Sequence, residues 1–499
     1  EYIHKVNPKY QGSIDFDIEN NWKLICKCIK DVLKQISPND ILAISTTSMR
    51  EAFVLYDENK KPIWACSNIN GVSLLLDCGA NVDARAYQET IDLRKNKELE
   101  KDTYYISGQT FSLGAIPRLL WIKNNDKDIY NKACYLNMLS DWIAVELGAD
   151  IFIDPSNGST LGLFNLKTRN FDKKIFEMSD LDFKFANAKV LESGTIIGEV
   201  NNKASKETGL KEGTKIVMGG GDAQLGTIGV GAVNEKDTVI LGGTFWQQEV
   251  NMKSPIIDKD ARIRINCSSI SDLWQAEGIA FYPGLVARWF RDAFCEDLKE
   301  IAKKNNTNAY KLLSDKSKDI PAGCYEIIPI FSDKMNYISW KHAAPSFINM
   351  TIDPNKTNRY SLFKSIMENA AIVSYNNIKT IENFSNINID YLTFAGGAAN
   401  DSVWCQILAD VLQLEVRTTK VKEATALGAA ICACVGINLY KDFYEAADIC
   451  VKKDIVYYPD KNNQKVYANL INKFNDVYKI QLELADKNLT THMWKAVGE

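Results

Sequence analysis

One carboxylate stands out by its surroundings. In "VMGGGDAQLGTIGVGAV", residues 217–233, Asp222 follows three glycines with no lysine, histidine or cysteine nearby. An acid on a bare backbone can accept the proton of a hydroxyl as that oxygen attacks phosphorus, and phosphoryl transfer asks for little more covalent help than this. The competing reading is a turn aspartate or a helix cap. Two further strand-then-glycine junctions, "ILGGT" and "TFAGGAAND", repeat the pattern. In α/β sheets ligands bind beyond the carboxyl ends of strands, and free N–H groups there suit phosphate. Most glycine pairs are simple turns, so the weight lies in three such junctions within one chain. Neither G-x-x-x-x-G-K-[ST] nor a strand-borne G-x-G-x-x-G occurs, so a nucleotide would be held without a Walker loop.

The elements that must position these residues alternate between strand and helix patterns, which predicts an α/β protein. Asp17 is the expected N-cap of a helix whose stripe is Ile25, Ile29, Val32, Leu33 and Ile36. "ILAISTTSMREAFVLYD" reads as two strands flanking "SMRE", and "DENKKP" as the turn after them. "DPSNGSTLGLFNLKTRNFD" reads as a loop and hairpin, "TKIVMGGGD" and "DTVILGG" as strands ending in glycine, and "KEATALGAAICACVGI" as a helix of small residues. Trp246, Trp340 and Trp404 are expected in the core rather than as stacking platforms. Residues 71–86 look like the end of an ankyrin repeat, but a single unit cannot bury its own face.

Bulk properties narrow the function. A chain of 499 residues is too long for one core. We place two domains, 1–226 and 227–499. Net charge is −4 with mixed signs, which argues against a nucleic-acid face or a polybasic membrane patch. The longest apolar run is far short of the roughly 20 residues of a membrane span. Twelve cysteines form no C-x-x-C, and the three histidines are scattered. A zinc site, a disulfide frame and a histidine triad are therefore not expected, and reduced thiols predict a cytoplasmic protein. A homodimer is compatible with the sequence.

Longer strings then carry a resemblance. "GGGDAQLGTIGVG…TVILGGTFWQQEVNM", "DPSNGST", "GLVARWFRDAF", "GGAANDSVWCQILADV" and "EATALGAAI" resemble the FGGY carbohydrate kinases, in order and along the whole chain. "SMRE", "IWAC", "FSDKMNYISWKHAAPSFINMTID" and "LTTHMWKAVG" resemble the branch whose acceptor is the terminal hydroxyl of a linear dihydroxy-pentanedione signal. The resemblance implies a two-domain actin/hexokinase-like, ribonuclease H-like fold with an interdomain cleft, and ATP with Mg²⁺. It implies Asp222 as catalytic base. It implies Arg50, Glu51, Asp83, Arg85 and Gln224 on a small-molecule signal or sugar-like substrate. It implies Gly243, Thr244, Gly284, Arg288, Gly396, Gly397 and Asn400 around the nucleotide, although glycerol kinases have glutamine where Arg288 stands. Without the resemblance, Arg50 and Glu51 read as a surface ion pair on a hairpin.

The family's opening D-x-G-T-x-x-x-R hairpin, which supplies a phosphate loop and an acid tied to Mg²⁺, is not found. Asp77-Cys78-Gly79, within an apparent insertion near 69–81, lacks the following threonine. Two alternatives stay open at this stage. One is a kinase for another small sugar or polyol such as xylulose or glycerol; the other is a catalytically silent ligand-binding remnant.

Overall fold

A computed structural model describes residues 3–6, 14–66 and 85–499. The expectations placed on residues 67–84, including Asp77, Asp83 and the inserted stretch, lie outside the described residues. The alternation of strands and helices folds as an α/β structure around two large hydrophobic clusters. One is built almost wholly from residues before 219, the other mainly from residues after 239.

Asp17 caps helix Ile18–Val32, its carboxylate accepting the N–H of Asn20 at 3.0 Å. The helix buries Trp22 and Cys26 and sets Ile25, Ile29 and Leu33 against the core. Val32 and Ile36 do not join that stripe. The helix ends at Val32 and both side chains are exposed. The segment "DPSNGST" is more ordered than the predicted loop: Asp154 caps a short helical turn, Pro155–Gly158, that continues as the 3₁₀ turn Ser159–Leu161.

The sheets put the glycine junctions where a ligand can reach them. In the first lobe, strand Lys215–Gly221 runs parallel to Ala43–Ser48 and antiparallel to Ile196–Glu199. In the second, seven strands follow the order 264–267, 274–280, 246–252, 238–242, 391–395, 415–419 and 453–457. Strand Tyr391–Ala395 lies parallel to both Thr238–Gly242 and Glu415–Thr419. The carboxyl ends of strands 215–221, 238–242 and 391–395 therefore deliver Asp222, Gly243 and Gly396.

The lobes are tied together. Helix Ala424–Gly436 packs on helix Asp222–Gly229 and on strands 43–48 and 215–221. Trp246, Trp340 and Trp404 are buried, and all cysteines among the described residues are free. No helix among the described residues is long and apolar enough to cross a membrane.

Candidate active site

Three close approaches explain the glycines before Asp222. A Cβ on Gly219 would lie 1.8 Å from the Thr46 carbonyl oxygen. One on Gly220 would meet the Ser156 and Ser269 hydroxyls at 2.5 and 2.6 Å, and one on Gly221 would meet the Gln224 amide at 2.5 Å and Arg50 at 3.2 Å. The bare backbone thus makes room for the protein's own packing. Ser156 also accepts the N–H of Gly221 at 3.2 Å, fixing the strand end.

Asp222 opens helix Asp222–Gly229. Its carbonyl accepts the Thr425 hydroxyl at 2.9 Å, and its carboxylate accepts the N–H of Ala223 at 2.8 Å. Its side chain is 45% exposed, while Arg50 Nε stands 3.7 Å away on the protein side. Burial around the rest of the group pushes its pKa up. Arg50 and the Ala223 N–H pull it back, and the charges of Glu51 and Glu277 add to the rise. The group is an accessible carboxylate with raised basicity, which suits a proton acceptor.

Arg50 and Glu51 are buried and paired across the lobes rather than with each other. Arg50 forms a two-pronged pair with Glu277, Nη2 donating to Oε1 at 2.8 Å and Nη1 meeting Oε2. Asn266 Nδ2 donates to the same carboxylate at 2.8 Å. Burial alone would raise the Glu277 pKa; Arg50, Arg264 and these hydrogen bonds outweigh it and hold the carboxyl below its usual range. Glu51 pairs with Arg264, whose Nε donates to Gln109 Oε1 at 2.8 Å. The Glu51 backbone has φ 59°, a left-handed conformation uncommon outside glycine. Thr160 accepts its N–H at 3.2 Å, and Arg118 donates to its carbonyl at 2.6 Å. The turn so fixed sets Arg50 on Glu277 and Glu51 on Arg264.

Gln224 is fully buried against Gly221, and neither polar atom of its amide has a hydrogen-bond partner among the described residues. Arg85 is placed elsewhere. It pairs with Asp15 at 2.6 Å and lies over the rings of Trp64 and Trp121 at 5.2 and 5.3 Å.

The expected nucleotide residues come together around one cavity of about 540 Å³. Its lining includes Gly243, Thr244, Gly284, Arg288, Gly397 and Asn400. Gly396, φ +90°, precedes Gly397 and packs on Gly242. A Cβ on Gly284 would lie 2.3 Å from the Gly243 carbonyl oxygen, so helix Pro283–Phe294 touches this loop backbone to backbone. The cavity's volume and glycine walls fit a nucleotide. Trp404 is buried as expected, and it also forms part of the wall. Lys311 and Lys318, both paired with Asp315, line the wall as well and were not anticipated from the sequence. Among the described residues no group of three His, Cys, Asp or Glu side chains could hold a metal.

Glu277, Arg264, Gln109 and Asn266 escaped the sequence reading. Glu277 and Arg264 had one signal, a charge inside a short strand, as in "WQAEGIA"; Gln109 and Asn266 had none.

The geometry agrees with the family comparison. The N-terminal domain of the FGGY family of carbohydrate kinases matches residues 3–229, and its C-terminal domain matches 254–437. The chain belongs to the FGGY family of carbohydrate kinases. It is 44% identical to the autoinducer-2 kinase of Salmonella typhimurium over 502 aligned residues, covering 100% of this chain and 92% of that one. The autoinducer-2 kinase of Yersinia enterocolitica is 45% identical with the same coverage. Among solved structures, gluconate kinase from Lactobacillus acidophilus superposes with a TM-score of 0.81 at 20% identity, covering 97% of this chain and 92% of that chain. Plasmodium falciparum glycerol kinase with ADP gives 0.79 at 17%, covering 96% and 92%. These similarities show the two-domain actin-like fold expected from the resemblance. A phosphotransferase with an alcohol acceptor follows from membership of this family.

Proposed function

We propose that this FGGY kinase transfers the terminal phosphate of ATP to the terminal hydroxyl of autoinducer-2 in its linear dihydroxy-pentanedione form. The observation that carries the reading is Asp222: an open carboxylate of raised basicity at a strand end, with a guanidinium behind it. The full-length likeness to autoinducer-2 kinases supports the choice of substrate.

The residues divide the work by chemistry. Asp222 accepts the proton of the substrate hydroxyl while that oxygen bonds to phosphorus and the bond to the ADP oxygen breaks. Arg50, fixed by Glu277, keeps its Nε 3.7 Å from the carboxylate and holds it oriented. Gln224, buried against Gly221, packs at the strand end just before the base. Gly243, Thr244, Gly396 and Gly397 present backbone and hydroxyl donors to phosphates, and Arg288 adds a cation at the cavity wall. Gly284 permits that wall to close, and Asn400 lies toward the nucleoside end. Mg²⁺, entering with the nucleotide, would neutralise charge shared by the β- and γ-phosphates. Glu51 holds the site's frame through Arg264.

A panel of phosphate acceptors tests the assignment. Rapid ADP release is expected with autoinducer-2 and slow release with glycerol, xylulose and gluconate. Rapid turnover of one of these and none of the signal would reject the substrate.

A further inference from the structure

One acid on the Glu277 face of the large sheet has no counterpart. Glu249 stands directly opposite Glu277 across strands 246–252 and 274–280. It is fully buried, and neither of its carboxylate oxygens has a hydrogen-bond partner among the described residues. The charges around it come from four places. Glu277 is on its partner strand, Arg264 on strand 264–267, Arg50 on the turn between strands 43–48 and 53–56, and Asp222 at the head of helix 222–229. Both guanidiniums are already committed, Arg50 to Glu277 and Arg264 to Glu51. A further carboxylate charge would have no cation of its own. Like charges facing each other on adjacent strands destabilise a sheet, and a lone buried carboxylate tends to neutralise instead of remaining ionised. Burial first, and then the charge of Glu277, push the Glu249 pKa well above the usual carboxylate range. Arg50 and Arg264 pull the other way without cancelling this, and Asp222 adds to the rise.

We propose that Glu249 is a positioning residue that carries a proton in the working protein, and that this proton keeps Arg50 seated on Glu277 and beside Asp222. An ionised Glu249 would compete with Glu277 for the same guanidinium and draw it away from the base. The consequence for Asp222 rests on the kinase reading; the protonation itself does not.

The sign of the effect follows from linkage. An unfolded glutamate releases its proton near its ordinary value of 4.5, whereas folded Glu249 keeps it to a much higher pH. The parent therefore loses stability as pH rises through that window, and a neutral replacement does not. Glu249→Gln and, as a second neutral variant of similar size, Glu249→Met are unfolded in urea at pH 4.5 and pH 8. The midpoint of at least one variant should rise relative to the parent between the two pH values. A midpoint difference equal at both pH values overturns the buried proton. For positioning, the ratio of variant to parent kcat/KM should climb by about tenfold per pH unit once Glu249 ionises in the parent. A flat ratio up to the pH at which the parent unfolds, in a chain that does phosphorylate, overturns the positioning role. A chain that phosphorylates nothing rejects the kinase reading and with it the positioning role, while the urea titration still decides the proton.

Discussion

Replacing Glu277 with glutamine keeps the shape of the side chain and removes its charge. In the parent, Arg50 is 6% exposed and Glu277 is fully buried, with Arg50 Nη2 donating to Oε1 at 2.8 Å. Two unit charges at that distance attract by about 6 kcal/mol at an effective dielectric constant of ~20. Most of that offsets the cost of taking both charges out of water, but removing one partner strands the other, typically at about 3–5 kcal/mol. Glutamine keeps one acceptor, so we expect the lower end, about 3 kcal/mol, or roughly a hundredfold in the unfolding equilibrium. Because the parent Glu277 pKa lies below its usual 4.5, the pair's contribution is present above that value and is lost as pH falls through the depressed folded pKa. The variant's deficit should therefore be full at pH 7 and shrink as pH falls below 4.5. Arg50, released from Glu277, then acts on Asp222 alone and lowers its pKa, so the acid limb of kcat/KM should move to lower pH. Urea unfolding at pH 7 and at pH 3.5, with a pH–rate profile, gives both readouts. The double variant Arg50→Met/Glu277→Leu should regain stability over Glu277→Gln, since apolar groups can replace a buried pair at little cost. Equal stability of Glu277→Gln and parent at pH 7, with an unmoved acid limb, would refute the reasoning.

Three further outcomes follow from the same geometry. Asp222→Asn should raise the urea midpoint at pH 7, because the folded carboxyl has a raised pKa and its ionisation costs stability above pH 3.8; the gain should vanish near that pH. Gly284→Ala forces a Cβ to within 2.3 Å of the Gly243 carbonyl oxygen, and the backbone shift of about 1–3 kcal/mol should weaken ADP binding by roughly tenfold or more in calorimetry. Arg288→Ala removes an exposed cation from the cavity wall and should raise the KM for ATP severalfold while leaving that for the acceptor unchanged.

Much of the frame was legible because local chemistry fixes it. Asp17 caps its helix through a contact three residues away, and glycines mark the ends of strands 215–221, 238–242 and 391–395. The end of the first helix was misread, since Val32 and Ile36 continue the apolar spacing although the helix ends at Val32 and both side chains are exposed. The partners of Arg50 and Glu51 were hidden for a different reason. They lie 227 and 213 residues away, and pairing over such separations depends on how two lobes meet, which no local pattern encodes. Adjacent in sequence, the two side chains look like one ion pair. The left-handed backbone at Glu51 sends them to separate partners. The glycines beside Asp222 stand out in the sequence, but the groups that need them bare, Thr46, Ser156, Ser269 and Gln224, are fixed by tertiary packing.

The central claim is that the Asp222 carboxylate takes the proton of the attacking hydroxyl. Its most direct test is single-turnover phosphorylation of autoinducer-2 by Asp222→Asn, with the affinities for ATP and for the signal measured alongside. Affinities should stay within a fewfold of the parent while the chemical step slows by about 10²-fold or more. A chemical step at the parent's rate would contradict it.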